Sequence, residues 1–164
     1  MAATSARTPP GAGTLSPAEL AAWHGFLRAH ALLVRELDCE LEASHGLPLV
    51  SYELLRALEA APEQRMRMRE LAEVVLLSRS GLTRLVDRLV RDGLIKRSTC
   101  SADARGCYAV LTAEGRHALA AARPAHLEGV RRRFLDHFDQ DELADLGALW
   151  ARLAAAQDPT QGCI

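Results

Sequence analysis

Apolar residues recur at intervals of three and four in the early part of the chain. Ser16, Pro17 and Glu19 have the pattern of a helix start, and Gly46 is a typical helix stop. Between them lies the repeat Leu20, Trp23, Leu27, His30, Val34, Leu37 and Leu41. This spacing predicts one long helix at about residues 16–45, with an apolar seam that is suited to packing against another long helix.

Shorter elements follow this helix. We predict a helix at residues 51–61, a short strand at 65–68 and a helix at 69–76. After a tight turn, a further helix begins near Ser78 and ends at Gly93. Two short helices joined so closely are typical of a helix-turn-helix.

The second of these two helices is amphipathic. Its apolar stripe consists of Leu82, Leu85, Val86 and Leu89. Its opposite face carries Ser80, Thr83, Arg84, Asp87, Arg88 and Arg91. Such a face is either an ordinary solvated surface or one that lies in a groove lined by phosphates and base edges, and the pattern alone leaves both open.

A hairpin and two helices complete the pattern. The segments LIKRSTC and CYAVLT are predicted strands on either side of the polar loop SADARG, which places a wing directly after the helix-turn-helix. Thr112 then caps a helix that we expect to run to about Phe138, with a kink near Pro124. A last helix at 140–156 has the apolar stripe Leu143, Leu146, Leu149, Trp150 and Leu153.

Together these elements predict a mainly α fold with a small β wing: a winged helix-turn-helix domain with long N- and C-terminal dimerisation helices. We assign dimerisation because the seams of the first and last helices cannot both be buried in so small a monomer. The expected organisation is a disordered N-terminal arm at 1–14, a single domain at 15–157 and a frayed tail at 158–164. Within the domain we expect dimerisation helices at about 16–45 and 112–156 and a winged helix-turn-helix lobe at about 50–111.

Positive charge is concentrated in one segment of the chain. The formal net charge is −1, yet residues 79–105 are distinctly basic. The cations are Arg79, Arg84, Arg88, Arg91, Lys96, Arg97 and Arg105, against Asp87, Asp92 and Asp103. A basic recognition helix followed by a basic wing favours double-stranded DNA as a partner.

The expected roles of these side chains follow from how such a helix meets DNA. Its N-terminal end reaches base edges, and the candidates there are Ser78, Arg79, Ser80 and Thr83. Arg84 and Arg88 lie one turn apart and are better placed for backbone phosphates. At the wing, we expect Arg105 to reach a neighbouring minor groove. Asp103 would be repelled by DNA, so we expect it to be an internal partner that holds Arg105 or Arg97 in place.

One long string carries a family resemblance. LAEVVLLSRSGLTRLVDRLVRDGLIKR, followed by DARGCYAVLTAEG, resembles the helix, recognition helix and wing of the MarR family of bacterial transcription regulators. The resemblance covers about residues 69–115 in detail, and it departs from the family in lacking a proline just before Asp103. It implies a homodimer on a pseudo-palindromic operator, usually a repressor that is released by a small-molecule effector or by oxidation.

The sequence also bears on other classes of function. The chain has no phosphate-binding loop, nucleophile elbow or metalloprotease motif, so we expect no enzyme and no cofactor. The alternative from another class is a helical dimeric protein-interaction module that uses its basic face. Variants of the regulator that respond to oxidants through Cys39, or to a metal held by Asp38, Glu42 and His45, are also open.

The expected environment is the cytoplasm. No apolar run reaches the length of a membrane span, so no membrane partner is expected. The start of the chain has no apolar core of the kind found in a signal peptide. The cysteines have no zinc-site spacing, and we expect mostly free thiols.

Overall fold

The computed structural model describes residues 13–100 and 103–156, with the backbone alone at 99–100 and 103–107. Apart from residues 13 and 14, the predicted N-terminal arm lies outside the described residues, and so does the predicted tail at 158–164.

The fold consists of a compact lobe of short helices and strands, preceded along the chain by one long helix and followed by two. In chain order they are α1 (Pro17–His45), α2 (Leu49–Ala60), β1 (Arg65–Arg67), α3 (Met68–Val74), α4 (Arg79–Arg91), β2 (Ile95–Cys100), β3 (Asp103–Leu111), α5 (Ala113–Arg133) and α6 (Gln140–Ala156). The three strands form one antiparallel sheet in the order β1-β3-β2. The predicted mainly α fold with a small β wing is confirmed.

The predicted start and stop of α1 are also confirmed. The Ser16 hydroxyl accepts a hydrogen bond from the Glu19 amide at 3.3 Å, and the Glu19 carboxylate accepts one from the Ser16 amide at 2.9 Å. At the other end, Gly46 has a φ of 62°, a left-handed conformation that favours glycine.

Several boundaries differ from those that the sequence predicts. The helix after Thr112 ends at Arg133 rather than near Phe138, because Phe134 leaves the helical conformation and a separate 3-10 turn follows at Leu135–His137. Pro124 lies inside α5 without ending it. In the lobe, α3 occupies Met68–Val74 rather than 69–76, since Leu76 has a φ of 53°.

The hydrophobic core is located in the lobe. The predicted stripe of α4 is buried there together with residues of α2, α3 and the sheet: Tyr52, Leu54, Leu55, Leu58, Leu71, Leu82, Leu85, Val86, Leu89, Ile95, Ala109 and Leu111. In contrast, α1 buries Leu41 alone, and α6 buries none of its residues within the described chain. Leu119 and Ala122 of α5 belong to the same core, which thus lies mainly in the lobe, whereas α1 and α6 keep apolar faces exposed.

Ion pairs fasten α5 to α1. The guanidinium groups of Arg132 and Arg133 both bond to the Glu40 carboxylate, and Arg133 also lies 3.4 Å from Glu36. The hydrogen bond from Arg133 holds the pKa of Glu40 below its ordinary value. Gly129 allows the close approach, because a Cβ there would lie 2.8 Å from Leu37.

A largely buried histidine of α5, His126, packs against α2. The rings of His126 and Tyr52 are 4.3 Å apart, and His126 Nε2 is 3.9 Å from the Glu53 carboxylate. Its Nδ1 is buried and has no hydrogen-bond partner among the described residues. Burial lowers the pKa of His126, and the Glu53 charge offsets only part of that effect.

Acidification should therefore destabilise the fold through His126. Because folding lowers the pKa of His126, the unfolded chain binds a proton more readily than the folded chain does. The folded state therefore loses stability as the pH falls below about 6.5, the ordinary pKa of histidine. For one proton the free energy of unfolding changes by at most about 1.4 kcal/mol per pH unit. Denaturant unfolding across this range should give a flatter pH dependence for His126→Gln. The exposed-site control His117→Gln should keep the parent's slope, and a parent-like slope for His126→Gln would contradict the assignment.

Candidate nucleic-acid interface

The first turn of α4 is built around a serine cap. Ser78 has an extended backbone, and its hydroxyl accepts a hydrogen bond from the Gly81 amide at 3.1 Å. The Ser80 hydroxyl lies 3.3 Å from the Ser78 hydroxyl. Both serines are exposed at the positively polarised end of the helix, where anions bind favourably.

The buried stripe of α4 fixes which side chains face outward. Its members are between 0% and 7% exposed: Leu82, Leu85, Val86 and Leu89. On the other face, the side chains predicted to meet base edges are all exposed: Ser78, Arg79, Ser80 and Thr83. The structure therefore brings these candidates together on one open surface.

Two arginines on this surface keep their guanidinium groups available. Within the part of the chain that the structure describes, the side chains of Arg79 and Arg84 make no hydrogen bond or ion pair. The Thr83 hydroxyl donates to the Arg79 carbonyl at 2.9 Å, which leaves its lone pairs free to accept. Unpaired guanidinium groups can bind acceptors on bases and phosphates in a bidentate manner.

Arg88 differs from Arg84, although the sequence predicts phosphate contacts for both. The Arg88 Nη2 donates a hydrogen bond at 2.8 Å to the hydroxyl of Ser51 on α2, and Ser51 is only 1% exposed. The Arg88 side chain is half-buried, whereas Arg84 is exposed. Sequence reasoning missed Ser51, because its role depends on a contact between residues 37 positions apart.

At the wing, Arg97 has an acidic partner on the recognition helix. Arg97 on β2 pairs with Asp87 on α4, with 2.7 Å between Nη2 and the carboxylate. Asp87 is therefore an acidic partner of Arg97 that the sequence did not predict, and the role of Asp103 toward Arg97 stays a prediction. The side chains of Asp103 and Arg105 lie outside the described residues, so their pairing stays a prediction.

The backbone of the hairpin is more extended than predicted. Strand β3 begins at Asp103, so pairing with β2 continues into the segment expected to be a loop. The register changes between the pair Thr99–Cys107 and the pair Cys100–Asp103. Arg105 consequently lies in an irregular part of the ladder rather than in an open loop.

Tyr108, at the base of the hairpin, contacts two arginines of β1. The Tyr108 hydroxyl accepts a hydrogen bond from Arg67 Nε at 3.0 Å, and the Arg65 guanidinium lies 5.3 Å from the centre of its ring. The register that pairs Arg67 with Tyr108 brings them together. The sequence shows the alternating arginines but not this register, which is set by the fold.

The residues considered for a metal or redox response, Asp38, Glu42, His45 and Cys39, all lie on α1. Asp38, grouped with Glu42 and His45 as a possible metal face, accepts a hydrogen bond from the Leu49 amide at 2.7 Å. Among the described residues, no group of three metal-binding side chains is positioned to hold an ion. Cys39 is an exposed free thiol on α1.

No helix in the described part of the chain is long and apolar enough to cross a bilayer.

The fold and this surface define a winged helix-turn-helix DNA-binding protein. A model of the MarR family matches residues 45–106. Sco3205, a MarR family transcriptional regulator from Streptomyces coelicolor that was crystallised with DNA, is 33% identical; the match covers 95% of this chain and 96% of that chain, with a TM-score of 0.87. AbsC, another MarR family regulator from Streptomyces coelicolor, is 32% identical over 87% of this chain and 96% of its own, with a TM-score of 0.82.

A curated relative agrees with these structures. The HTH-type transcriptional repressor YetL of Bacillus subtilis (strain 168) is 29% identical over 119 residues, which are 71% of each chain. The chain belongs to the MarR family. It is therefore a DNA-binding transcriptional regulator and not an enzyme.

Proposed function

We propose that this protein is a homodimeric repressor that places one α4 helix in each half-site of a pseudo-palindromic operator and is released by a small-molecule effector. The observation that carries the proposal is the start of α4, where exposed hydroxyls share a surface with the guanidinium groups of Arg79 and Arg84, which have no hydrogen-bond or ion-pair partner among the described residues. Such a helix end suits the major groove, where base edges present hydrogen-bond acceptors.

The side chains divide into those that read sequence and those that position the protein. Base edges would be read by Ser78, Arg79, Ser80 and Thr83. Arg84 would bind a phosphate. At the wing, Arg105 would enter the minor groove with Asp103 as its orienting partner, and Arg97 would support the wing through Asp87.

Exposed apolar faces support the homodimer. Large apolar side chains of α1 and α6 that are at least 39% exposed are Leu20, Trp23, Phe26, Leu27, Leu32, Val34, Leu149, Trp150 and Leu153. The rings of Phe26 and Trp150 are 5.3 Å apart, so the two helices share one continuous apolar surface. A surface of this kind on a folded chain favours burial against a second copy, with α1, α5 and α6 as the dimerisation helices.

Repression and effector release are supported more indirectly. The relative YetL is named a repressor, and a repressor would act on DNA in the cytoplasm. A cavity of about 650 Å³ lies between α1 and the end of α5. Its lining is mainly apolar, with Glu36, Arg132 and Arg133 as charged groups, and this size and composition suit a small organic ligand.

Selection from randomised duplexes tests the DNA-binding part of the proposal. The purified protein should enrich an inverted repeat whose half-site centres are about 10 bp apart or a multiple of that spacing. Sedimentation at micromolar concentration should show a dimer without DNA. Enrichment of no sequence, or a folded monomer, would contradict the proposal.

The phosphate role of Arg84 predicts a change in salt dependence. Arg84→Ala should weaken binding to operator and random DNA alike, because a phosphate contact carries no sequence information. The log–log salt slope should become shallower by about one unit per subunit. Binding would be measured by fluorescence anisotropy over a salt series. Arg35→Ala removes the same charge from α1, where Arg35 pairs with Glu36, and it should leave the slope unchanged; equal slopes for both variants would reject the role.

A further inference from the structure

Ser51 is a polar side chain enclosed by the core of the lobe. Its neighbours along α2, Tyr52, Leu54 and Leu55, are buried with it, and its hydroxyl is the acceptor for Arg88. A hydrogen bond from a charged donor to a buried acceptor is strong, and breaking it leaves a buried oxygen unsatisfied. Arg88 therefore has a structural reason to stay on Ser51 rather than turn outward to a phosphate.

A second contact holds the same turn of α2 from another side. The Asp38 carboxylate on α1 accepts a hydrogen bond from the Leu49 amide at 2.7 Å. Leu49 is the first residue of α2, and the preceding Pro48 supplies no side-chain cap. Asp38 thus takes the place of a cap, and it binds α2 to α1 only two residues before Ser51.

These two bonds make a short connection between α1 and α4. Asp38 on α1 holds Leu49, and Ser51, in the same helical turn, holds Arg88 on α4. We propose that Arg88 is a positioning residue, which fixes the recognition helix to the first turn of α2 and thereby to α1. This inference rests on the proposed function, in which α1 belongs to the dimer interface and α4 reads the operator.

The connection would set the distance and angle between the two recognition helices of the dimer. An inverted repeat can be read only when both helices enter successive major grooves in register. Random DNA has no such requirement, because phosphate contacts form at any register. Loosening the connection should therefore reduce operator binding and increase the tolerance of altered half-site spacing, without changing binding to random DNA.

Ser51→Ala is the sharpest test, because it removes the acceptor and leaves every charge in place. We expect operator affinity to fall about tenfold or more, with random-DNA affinity and the salt slope unchanged. We also expect the penalty for inserting one base pair between the half-sites to shrink, since the helices are held less firmly. The protein used is the full-length dimer, and the duplex is the selected inverted repeat with its one-base-pair insertion.

Further variants make the result specific to this connection. Arg88→Ala should reproduce the Ser51→Ala profile, and the double variant should bind no more weakly than the weaker single variant. Asp38→Ala should also shrink the spacing penalty, because it breaks the other half of the connection. Ser51→Cys keeps the size and weakens the acceptor, so it should give a smaller effect in the same direction if Ser51→Ala folds poorly.

Three results would overturn the positioning role of Arg88 or the proposed function. If Ser51→Ala and Ser51→Cys bind the operator and the inserted duplex as the parent does, the positioning role is overturned. If Arg88→Ala instead flattens the salt slope on operator and random DNA, Arg88 is a phosphate contact. A parent protein that selects no inverted repeat would overturn the proposed function itself, which the variants cannot do.

Discussion

Arg79→Ala is expected to weaken operator binding by about 1–3 kcal/mol for each half-site, and so by about 2–6 kcal/mol for a dimer on two half-sites. Arg79 is the first residue of α4, and its exposed guanidinium makes no hydrogen bond or ion pair within the described part of the chain. A base edge bound by two parallel hydrogen bonds explains a loss of this size. Random DNA should be bound almost as tightly as by the parent, since no base is read there. Titrations of both duplexes by fluorescence anisotropy at one fixed salt concentration measure the difference.

The matched control for Arg79 is Arg84, which is about one and a half turns further along α4 and likewise has no ion pair or hydrogen bond to the side chains that the structure describes. Arg84→Ala should lower the affinity for both duplexes, whereas Arg79→Ala should lower it mainly for the operator. If Arg79→Ala weakened both duplexes to the same degree, Arg79 would be a phosphate contact and sequence would be read elsewhere.

Gly115→Ala should lower the free energy of unfolding by about 3 kcal/mol, a large effect for a single methyl group. A Cβ at Gly115 would lie 2.1 Å from the Leu94 carbonyl oxygen and 2.8 Å from a methyl group of Leu111. Neither neighbour can move freely, because Leu94 accepts hydrogen bonds from the Thr112 amide and hydroxyl, and Leu111 is buried. The substitution would push the start of α5 away from the wing. Denaturant unfolding at a fixed protein concentration measures it.

Gly25→Ala is the control for the change of residue itself. A Cβ at Gly25 meets no atom within 4 Å, and Gly25 lies in the middle of α1. Alanine is the better helix former by about 0.5–1 kcal/mol, so this variant should be more stable than the parent. Similar stabilities for the two variants would show that the close approach of α5 to the wing is not needed.

Features that depend on local sequence could be predicted. The capping box of α1, the buried stripe of α4 and the cap at Ser78 each involve residues within one or two helical turns of each other, so spacing alone identifies them. The exposure of Arg79 and Arg84 follows from the same helical period. This is why the face predicted to read DNA is the face that the fold leaves open.

Features that depend on tertiary contacts could not be predicted. The partner of Arg88 is 37 residues away on α2, and Arg97 pairs with Asp87 on a different element, α4. Charge patterns show which residues are basic, but the packing of helices decides which of them are paired. The early end of α5 at Arg133 has a similar origin, because the sequence there remains compatible with a helix while the backbone turns at Phe134.

Binding to a duplex with one damaged half-site tests the central claim most directly, namely that two copies of α4 read an inverted repeat together. The measurement compares the selected repeat with the same duplex after one half-site has been scrambled, with stoichiometry determined by sedimentation. The account predicts two chains on the intact repeat and a loss of at least about 100-fold in affinity when one half-site is scrambled, since several specific base contacts are then missing. A single chain bound to either duplex with equal affinity would contradict it.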